Sequence, residues 1–323
     1  MRISRLFTAI IASGLMGLPP ASGQSYPAKP VRIINPYPAG GAADSLLRPI
    51  ARKMGESLKA TFVIDNRPGA NGIIGTEVAA KLPPDGYTIL MGSTSSLPMN
   101  AATYSKLPYD PNRDFAPIST FMYSSLLLLV HPSVPAGSVK EYITLAKARP
   151  GQITCGSFGI GSTAHFAIGL VAMMTGAKLN HVPYKGSAPL IIDLLAGQIE
   201  SSFDSMQNAM PYIRAKRVRA LGLAASKRSP VAPDIPTISE AGVPGFEIGV
   251  WFGLLAPANT PRDIVMKLNA EVVKALSHPD IRGIYASTGA EPLTNTPDEF
   301  AALIRSEMVK WAKVARAAKI SAQ

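Results

Sequence analysis

The chain has 323 residues, of which 47% are hydrophobic and 16% are charged. This composition is too hydrophobic for a disordered chain, and the length is sufficient for two folded units. Because 32 Lys and Arg residues exceed 21 Asp and Glu residues, the formal charge is +11. Such a balance suits nucleic acid, a membrane surface or small anions. Aromatic residues are only 7% and the basic residues are spread along the chain, so we expect no nucleic-acid partner.

The N-terminus has the pattern of a secretory signal peptide. A basic segment at residues 1–5 precedes an apolar run at residues 6–18, and small residues follow at positions 21–23. We predict a signal peptide at residues 1–23, cleaved before Gln24, and therefore a periplasmic protein. The apolar run is shorter than the ~20 residues that span a bilayer, so stable membrane insertion is not expected. A retained anchor helix is the alternative interpretation.

Short β-branched segments alternate with segments of helical periodicity, which is typical of an α/β fold with largely parallel sheets. In chain order, strands are predicted at residues 31–35, 61–65, 87–91, 126–131, 152–156, 179–182, 199–203 and 218–224. Helices are predicted at residues 46–58, 72–81, 162–175, 188–196 and 209–216, and further helices are predicted to begin at Ser138, Thr260 and Thr296. These last three starts have capping residues, and proline follows the two threonines.

The chain is expected to form two lobes, because a single core rarely exceeds about 250–300 residues. We predict that residues 24–122 and 250–323 form lobe 1 and that residues 123–249 form lobe 2. The connections between the lobes are expected in the Pro- and Gly-rich segments 107–117 and 229–244. Whether the last helix packs on the first lobe alone or bridges to the second is left open.

The sequence lacks the motifs of common catalytic and cofactor sites. It contains no GxSxG, HExxH, SxxK or phosphate-loop pattern. None of the four histidines has a Cys, Asp or His at metal-ligand spacing, and the single Cys155 excludes an internal disulfide. We therefore expect no cofactor and no metal.

Four junctions between a strand and a following helix are rich in Gly, Ser and Thr. The segment 159–164 reads Gly-Ile-Gly-Ser-Thr-Ala and is similar to a dinucleotide fingerprint, but the acid expected about 20 residues later is missing. A glycine-rich turn that opens a helix still presents backbone N–H groups at the positive end of the helix dipole. The segment therefore predicts an anion site, to which the Ser162 and Thr163 hydroxyls would add.

The other three junctions have related compositions. The segment 35–44 has two glycines that allow close approach to a ligand, and its Asp44 either caps the helix, anchors the loop or meets an ammonium group. The segment 92–96 carries four hydroxyls, and the segment 182–187 contains Lys185. Open α/β sheets bind ligands at the carboxyl ends of their strands. Four such junctions without an acid–base pair predict a clamp for a small anion rather than a catalyst.

These segments resemble the Bug family, the extracytoplasmic solute-binding receptors of tripartite tricarboxylate transporters. The likeness extends in one order along nearly the whole chain after the signal peptide, and it is carried by residues 37–44, 65–72, 84–88, 159–165, 182–189, 193–198, 233–237 and 251–257. It implies a two-lobed periplasmic-binding-protein fold of the Venus flytrap type. Such a fold has two mainly parallel α/β sheets and a ligand cleft between the lobes.

The resemblance implies that both lobes contribute to a carboxylate site. The candidate residues of the first lobe are Tyr37, Pro38, Ala39, Gly40, Gly41, Ala42, Asp44, Ser93 and Ser95. Those of the second lobe are Gly159, Ile160, Gly161, Ser162, Thr163, His165, Tyr184, Lys185 and Asp204.

The identity of the ligand is left open, because the chain departs from the commonest family pattern at residues 42–43 and 94–97. An amino acid would need an acid such as Asp44 or Asp204 near its ammonium group. A plain dicarboxylate or an aromatic acid would not.

We therefore predict a periplasmic receptor that captures a small organic carboxylate by lobe closure. The carboxylate would be a dicarboxylate, an aromatic acid or an acidic amino acid, delivered to a two-component membrane permease. We expect the receptor to be a monomer. Two alternatives stay open: an exported α/β hydrolase that acts on a carboxylate ester through Ser162 and His165, and a ligand sensor that feeds a signalling kinase.

Overall fold

A computed structural model of the chain describes residues 26–288 and 290–322. The predicted signal peptide and its cleavage site lie outside the described residues. Within them, no helix combines the length and the apolar character needed to cross a membrane.

The described residues form an α/β structure in which strands and helices alternate along most of the chain. The strands are β1 (Val31–Asn35), β2 (Phe62–Asn66), β3 (Thr88–Ser93), β4 (Phe115–Val130), β5 (Thr154–Ser157), β6 (Asn180–Pro183), β7 (Ser201–Ser205), β8 (Arg219–Leu223) and β9 (Gly249–Pro257). The helices are α1 (Ala42–Leu58), α2 (Ile73–Ala80), α3 (Asn100–Thr103), α4 (Val139–Ala148), α5 (Thr163–Thr175), α6 (Ser187–Leu195), α7 (Met206–Arg214), α8 (Arg262–Ser277), α9 (Pro279–Thr288) and α10 (Pro297–Ala318).

Two sheets are joined through their central strands. The strand order is β2-β1-β3-β9-β4-β7-β5-β6, and β8 also pairs with β4. The outer groups β2-β1-β3 and β7-β5-β6 are parallel, whereas β9 and β4 are antiparallel to their neighbours. The central strand pairs are therefore antiparallel, and a group of parallel strands lies on each side of them.

The chain passes from the first sheet to the second inside β4. The first part of β4 pairs with β9 as far as Ser125, opposite Gly249, and the part from Leu126 onward pairs with β7 and β8. The predicted crossings in the Pro- and Gly-rich segments are therefore wrong. Both segments pack within one half of the molecule: Tyr109 packs with the first sheet, and Ile238 lies in the core of the second.

Each sheet has its own core, and the helical periodicity of the sequence accounts for the first. Leu46, Ile50 and Met54 of α1 pack against that sheet, together with Leu268 and Val272 of α8. Burial of one apolar stripe per helix is the main stabilising contribution of such layers.

The last helix, α10, contacts both cores. Phe300 near its start packs edge-to-face on Trp251 of the first half, with ring centroids 5.0 Å apart. Trp311, further along, packs in the second core on Phe166 of α5, with centroids 5.6 Å apart. The helix therefore bridges the two halves of the molecule.

The predicted helix caps are confirmed at two of three starts. Ser138 caps α4, and Thr296 forms a complete capping box with Glu299 at the start of α10. The prediction for Thr260 is wrong, because Pro261 occupies the N-cap position of α8. The Thr260 hydroxyl instead donates to the Pro257 carbonyl oxygen at 2.8 Å.

The surroundings of Gly169 on α5 and Gly283 on α9 predict opposite effects for the two Gly→Ala substitutions. A Cβ at Gly169 would lie 2.7 Å from Cβ of Ala318 and 3.0 Å from Cδ1 of Ile320, whereas a Cβ at Gly283 of α9 would meet open space. We expect Gly169→Ala to lower the free energy of unfolding by about 1–3 kcal/mol, because the two helices must move apart. Gly283→Ala should raise it by about 0.5–1 kcal/mol. Urea unfolding measures both, and shifts in the same direction would contradict the packing.

Candidate functional site

A cavity of about 670 Å³ lies where the crossing strands separate the two sheets. Met122, Ser124 and Leu126 of β4 and Val250 and Phe252 of β9 form part of its wall. Loops from both halves supply the other lining residues: Pro36, Tyr37, Pro38, Gly41, Ala43, Pro68, Gly69, Asn71, Gly72, Ser95, Phe158, Ser162, Thr163, Gly186, Ser187, Ser205, Gln207 and Asn208. Among the described residues, no side chain that lines this cavity carries a formal charge.

Another depression, of about 600 Å³, lies along α1 and β2. Its lining includes charged side chains that pair with each other, such as Arg52 and Glu56 at 3.7 Å. It includes none of the predicted site residues, so the cavity between the sheets is the better candidate for a ligand site.

Five helices begin at the cavity. It is lined by their N-cap residues Gly41, Gly72, Ser162, Gly186 and Ser205, at the starts of α1, α2, α5, α6 and α7. Each helix N-terminus carries a partial positive charge and free N–H groups. The structure thus brings three of the predicted junctions to one cavity, and Ser95 contributes from the fourth.

The start of α5 offers hydrogen-bond donors to the cavity. The Ser162 hydroxyl accepts from the His165 N–H at 3.3 Å and donates to the Gly159 carbonyl oxygen at 2.7 Å. The N–H groups of Thr163 and Ala164, at the first two helical positions, have no acceptor within the helix. The first turn contains no acidic residue. The positive end of this helix is therefore not neutralised by its own side chains.

A pair of hydroxyls joins the two sides of the cavity next to this helix. Ser95 Oγ lies 3.0 Å from Thr163 Oγ1, and both residues line the cavity. Their contact uses one of the two hydroxyl hydrogens, so the other is available to a ligand. On the same side, Ser93 Oγ lies 2.5 Å from the Tyr37 hydroxyl and so holds that lining ring in place.

Asp44 anchors the loop of the first half and does not reach the cavity. Its carboxylate is 2% exposed and accepts bonds from the Gly40 N–H at 2.9 Å, from the Asn35 and Asn66 amides and from the Arg48 guanidinium. Burial alone would raise the pKa of Asp44, but these bonds, with Arg48 foremost, outweigh it and lower the pKa to about 2. Of the three predicted roles, the geometry fits the anchor.

Asp204 lies near the end of β7, behind the part of the cavity wall that Ser187, Ser205 and Asn208 form. Its carboxylate is fully buried and accepts bonds from the Ser187 hydroxyl at 2.7 Å, the Ser205 N–H at 2.6 Å and the Asn208 amide at 3.3 Å. Burial raises the pKa of Asp204 to about 6, although these bonds oppose the shift. All three donors are residues that line the cavity, so Asp204 determines how they are oriented.

His165 stacks on His181 behind the α5 turn, with ring centroids 3.8 Å apart. Burial lowers the pKa of both rings to about 4, so both are neutral at neutral pH. His165 Nδ1 accepts from the Gly161 N–H at 3.2 Å. The Ser162 hydroxyl donates to the Gly159 carbonyl oxygen, not to the His165 ring. The two groups are therefore not arranged as a nucleophile and its base.

Six of the predicted site residues line the cavity: Tyr37, Pro38, Gly41, Ser95, Ser162 and Thr163. Others do not line it, namely Ala39, Gly40, Asp44, Ser93, Gly159, Ile160, Gly161, His165, Tyr184, Lys185 and Asp204. Lys185 is exposed, and the Tyr184 hydroxyl donates to Asp193 at 2.7 Å. The side chain of Ala42 lies outside the part of the chain that the structure describes.

The junction between β7 and α7 and the two crossing strands were not among the predicted parts of the site. Ser205, Gln207 and Asn208 line the cavity, and Ser205 both ends a strand and caps a helix, as a search for such junctions could have found. Ser124 is 6% exposed, lines the cavity, and its Oγ has no hydrogen-bond partner among the described residues. A buried hydroxyl usually has a hydrogen-bond partner, so Ser124 is a polar group to consider on the crossing strand.

Two sheets joined by crossing strands, with helix N-termini that meet at a cavity between them, define a solute-binding protein of the periplasmic type. Close relatives support this class and specify it.

Residues 46–320 match the model of the tripartite tricarboxylate transporter family receptor. Protein BugT of Bordetella pertussis is 37% identical over 298 residues, which cover 92% of this chain and 91% of BugT. A Rhodopseudomonas palustris protein solved with adipate is 36% identical with a TM-score of 0.82, over 92% of this chain and 100% of that one. MatC from Rhodopseudomonas palustris, solved with malate, is 33% identical with a TM-score of 0.78, over 90% and 99%.

The chain belongs to the family of receptors of tripartite tricarboxylate transporters. The predicted membership of the Bug family and the predicted periplasmic-binding-protein fold are therefore confirmed. The family model describes transporter receptors, and the related BugD is a periplasmic binding protein.

The Asp44 contacts predict a large stability cost for Asp44→Ala. The change leaves the Gly40 N–H and the buried Asn35 amide without their acceptor and removes the partner of Arg48, so we expect the free energy of unfolding to fall by about 3 kcal/mol. Asp280→Ala is the control, because Asp280 is 60% exposed with partners at 3.5 Å, and exposed ion pairs are worth less than about 1 kcal/mol. Equal losses in urea unfolding would show that Asp44 is no anchor.

The raised pKa of Asp204 predicts a pH-dependent difference between the natural chain and Asp204→Asn. Between its usual pKa of 3.8 and about 6, this group is ionised when unfolded and neutral when folded. Its contribution to stability therefore falls as pH rises across that window, by about 3 kcal/mol in total. Urea unfolding at pH 4, 5, 6 and 7 should show the natural chain losing that amount relative to the variant. A difference that is constant with pH would refute a raised pKa.

Proposed function

We propose that this receptor captures a small organic carboxylate in the cavity between the sheets and delivers it to a two-component membrane permease. The observation that carries the proposal is the start of α5, which faces an uncharged cavity without an acid in its first turn. Relatives solved with adipate and malate support a carboxylate as the ligand.

The carboxylate would lie against the start of α5. The N–H groups of Thr163 and Ala164 and the free hydrogen of the Ser95–Thr163 pair are suitable donors for its oxygens. The Ser124 hydroxyl, which is buried and has no hydrogen-bond partner within the part of the chain that the structure describes, would be a further contact from the crossing strand. Asp44 and His165 would act as positioning residues, since they hold the two loops rather than line the cavity.

Capture would proceed by closure of two lobes, residues 24–122 with 250–323 and residues 123–249. The sheets are connected at the pairing of Ser125 with Gly249, beside the lining residues Ser124 and Val250, and we assign the hinge to this point. A Cβ at Gly249 would clash with the Tyr123 ring, so the strands approach closely there. Rotation at this point would bury a ligand between the lobes.

Export by the signal peptide at residues 1–23 and action as a monomer complete the proposal. The hydrolase alternative is disfavoured, because the Ser162 hydroxyl donates to the Gly159 carbonyl oxygen and the His165 ring accepts from the Gly161 N–H. The ring therefore does not accept the proton of that hydroxyl. The sensor alternative uses the same binding step and differs only in the partner that reads the closed form.

The proposal predicts that carboxylates, but not their amides, stabilise the protein. At ~100 times its dissociation constant a ligand adds about 2.7 kcal/mol, which raises the melting temperature by roughly 5–10 °C. A panel of mono- and dicarboxylates, aromatic acids and acidic amino acids, each beside its amide, tests this by thermal melting. Thr163→Val should weaken binding about 10-fold or more by removing a hydroxyl.

Thr144→Val is the matched control, because Thr144 lies on the exposed face of α4 and its hydroxyl donates to the Lys140 carbonyl oxygen at 2.9 Å. It should leave affinity unchanged. A flat panel with folded, ligand-free protein would overturn the carboxylate proposal, and equal affinity in the two threonine variants would move the ligand away from α5.

A further inference from the structure

Contacts other than the crossing strands also join the two halves of the molecule. The hydroxyls of Ser95 in the first half and Thr163, the first residue of α5, lie 3.0 Å apart. In the turn that precedes α5, the Gly161 carbonyl oxygen accepts a bond from the Asn71 amide of the first half at 3.4 Å. Since Ser95, Thr163 and Asn71 all line the cavity, both bonds are made at the cavity, between the two halves.

Asn71 is held in place by its own half. Its backbone has φ +52° and ψ +37°, a left-handed conformation that asparagine tolerates better than most residues. Its amide also donates to Asn100 Oδ1 at 2.8 Å, and the fully buried Asn100 donates in return to the Asn71 carbonyl oxygen at 3.1 Å. A further bond joins the Asn100 amide to the Tyr109 hydroxyl at 3.2 Å. One amide hydrogen of Asn71 is therefore fixed within the first half, and the other is directed at the α5 turn.

The α5 turn approaches the first half closely. Gly161 has φ +75°, and a Cβ there would lie 3.2 Å from Thr103 Cγ2 and 3.7 Å from Asn71 Nδ2. The Gly161 N–H donates to His165 Nδ1 at 3.2 Å, so the second half holds the turn from its own side. The two halves thus meet here through groups that are fixed on both sides.

Residues 95–103 of the first half supply the remaining contacts. Ser95, Met99 and Thr103 are spaced four residues apart along a helical segment, so they lie on similar sides of it. Ser95 contacts the first residue of α5, Thr103 lies next to the α5 turn, and Met99 is fully buried in the core of the second half. Leu97, between them, is buried in the core of the first half. This segment therefore packs on both halves at once.

We propose that Asn71 and residues 95–103 form a latch that stabilises the closed arrangement of the two lobes. Asn71 is a positioning residue in this latch, because it holds the α5 turn against the first lobe. The inference rests on the lobe closure of the proposed function, and it adds that closure does not depend on the ligand alone.

The latch has a consequence for the receptor before a solute binds. Its bonds stabilise the closed form whichever solute is present, so the ligand-free receptor populates that form. The start of α5 is then already in position for an anion, and less ordering remains to be done on binding.

Spin labels on the two lobes measure the closed fraction without any ligand. Val63 on β2 and Ile192 on α6 are 48% and 63% exposed, so Val63→Cys and Ile192→Cys provide accessible labelling sites. The natural Cys155 is fully buried, and burial raises the pKa of its thiol to about 12, so it stays unlabelled. Pulsed electron–electron double resonance then gives the distances between the labels. In the otherwise natural chain, the main population should have the distance that the structure gives for these two positions.

Asn71→Gly combined with Ser95→Ala removes both bonds between the halves, while glycine tolerates the left-handed backbone at position 71. The ratio of closed to open molecules should fall about 10-fold or more, and a second distance should appear. Asn259→Gly combined with Ser277→Ala is the matched control. The exposed Asn259 also has a left-handed backbone, with φ +66°, and the exposed Ser277 hydroxyl donates within α8 at 3.0 Å. The control should leave the distances unchanged.

Either of two results would overturn the inference: a natural chain that does not populate the distance of the structure, or a double variant with the same distances as the natural chain. If the double variant does not fold, each single substitution is measured, and each should lower the ratio about 3-fold or more. Because no solute is present, neither result bears on the carboxylate, which the melting panel tests separately. A flat panel would leave the latch standing.

Discussion

The pairing of β4 with β9 is the constraint on which the rest of the structure depends. These antiparallel strands occupy the centre of the sheet, and β4 continues beyond Ser125 into the second sheet. Because the parallel strands on each side point their carboxyl ends toward the crossing, the loops that follow them converge on one cavity. The position of the cavity and the N-termini around it are consequences of this single connection.

The distribution of acids around the cavity is the second organising feature. Helix dipoles alone would make every side of the cavity attractive to anions. Asp44, paired with Arg48, lies at the start of α1, and Asp204 lies beside the starts of α6 and α7. The same residue type has a lowered pKa at one place and a raised one at the other, because Asp44 has a cation and Asp204 has only neutral donors.

Much of the fold follows from local patterns, and the exceptions have physical causes. The helical repeat of Leu46, Ile50 and Met54 predicts α1, and glycine-rich turns predict the junctions. The first part of β4 was not predicted, because Pro117 and several Ser and Thr residues interrupt its apolar pattern. In the structure, its pairing with β9 shifts register beside Pro117 and Thr120. The role of Asp204 depends on distant partners that converge only in the folded chain, so sequence spacing could not separate it from Asp44.

The central pairing also has a kinetic consequence. β9 lies between β3 and β4, although residues 88–93 and 115–130 are synthesised long before residues 249–257. The strands of the second sheet, by contrast, are complete at Leu223. Pairing β9 with β3 closes the long loop of residues 94–248. This closure costs entropy before any contact is gained, which slows folding. The second sheet can therefore assemble first, and the first sheet must await its central strand.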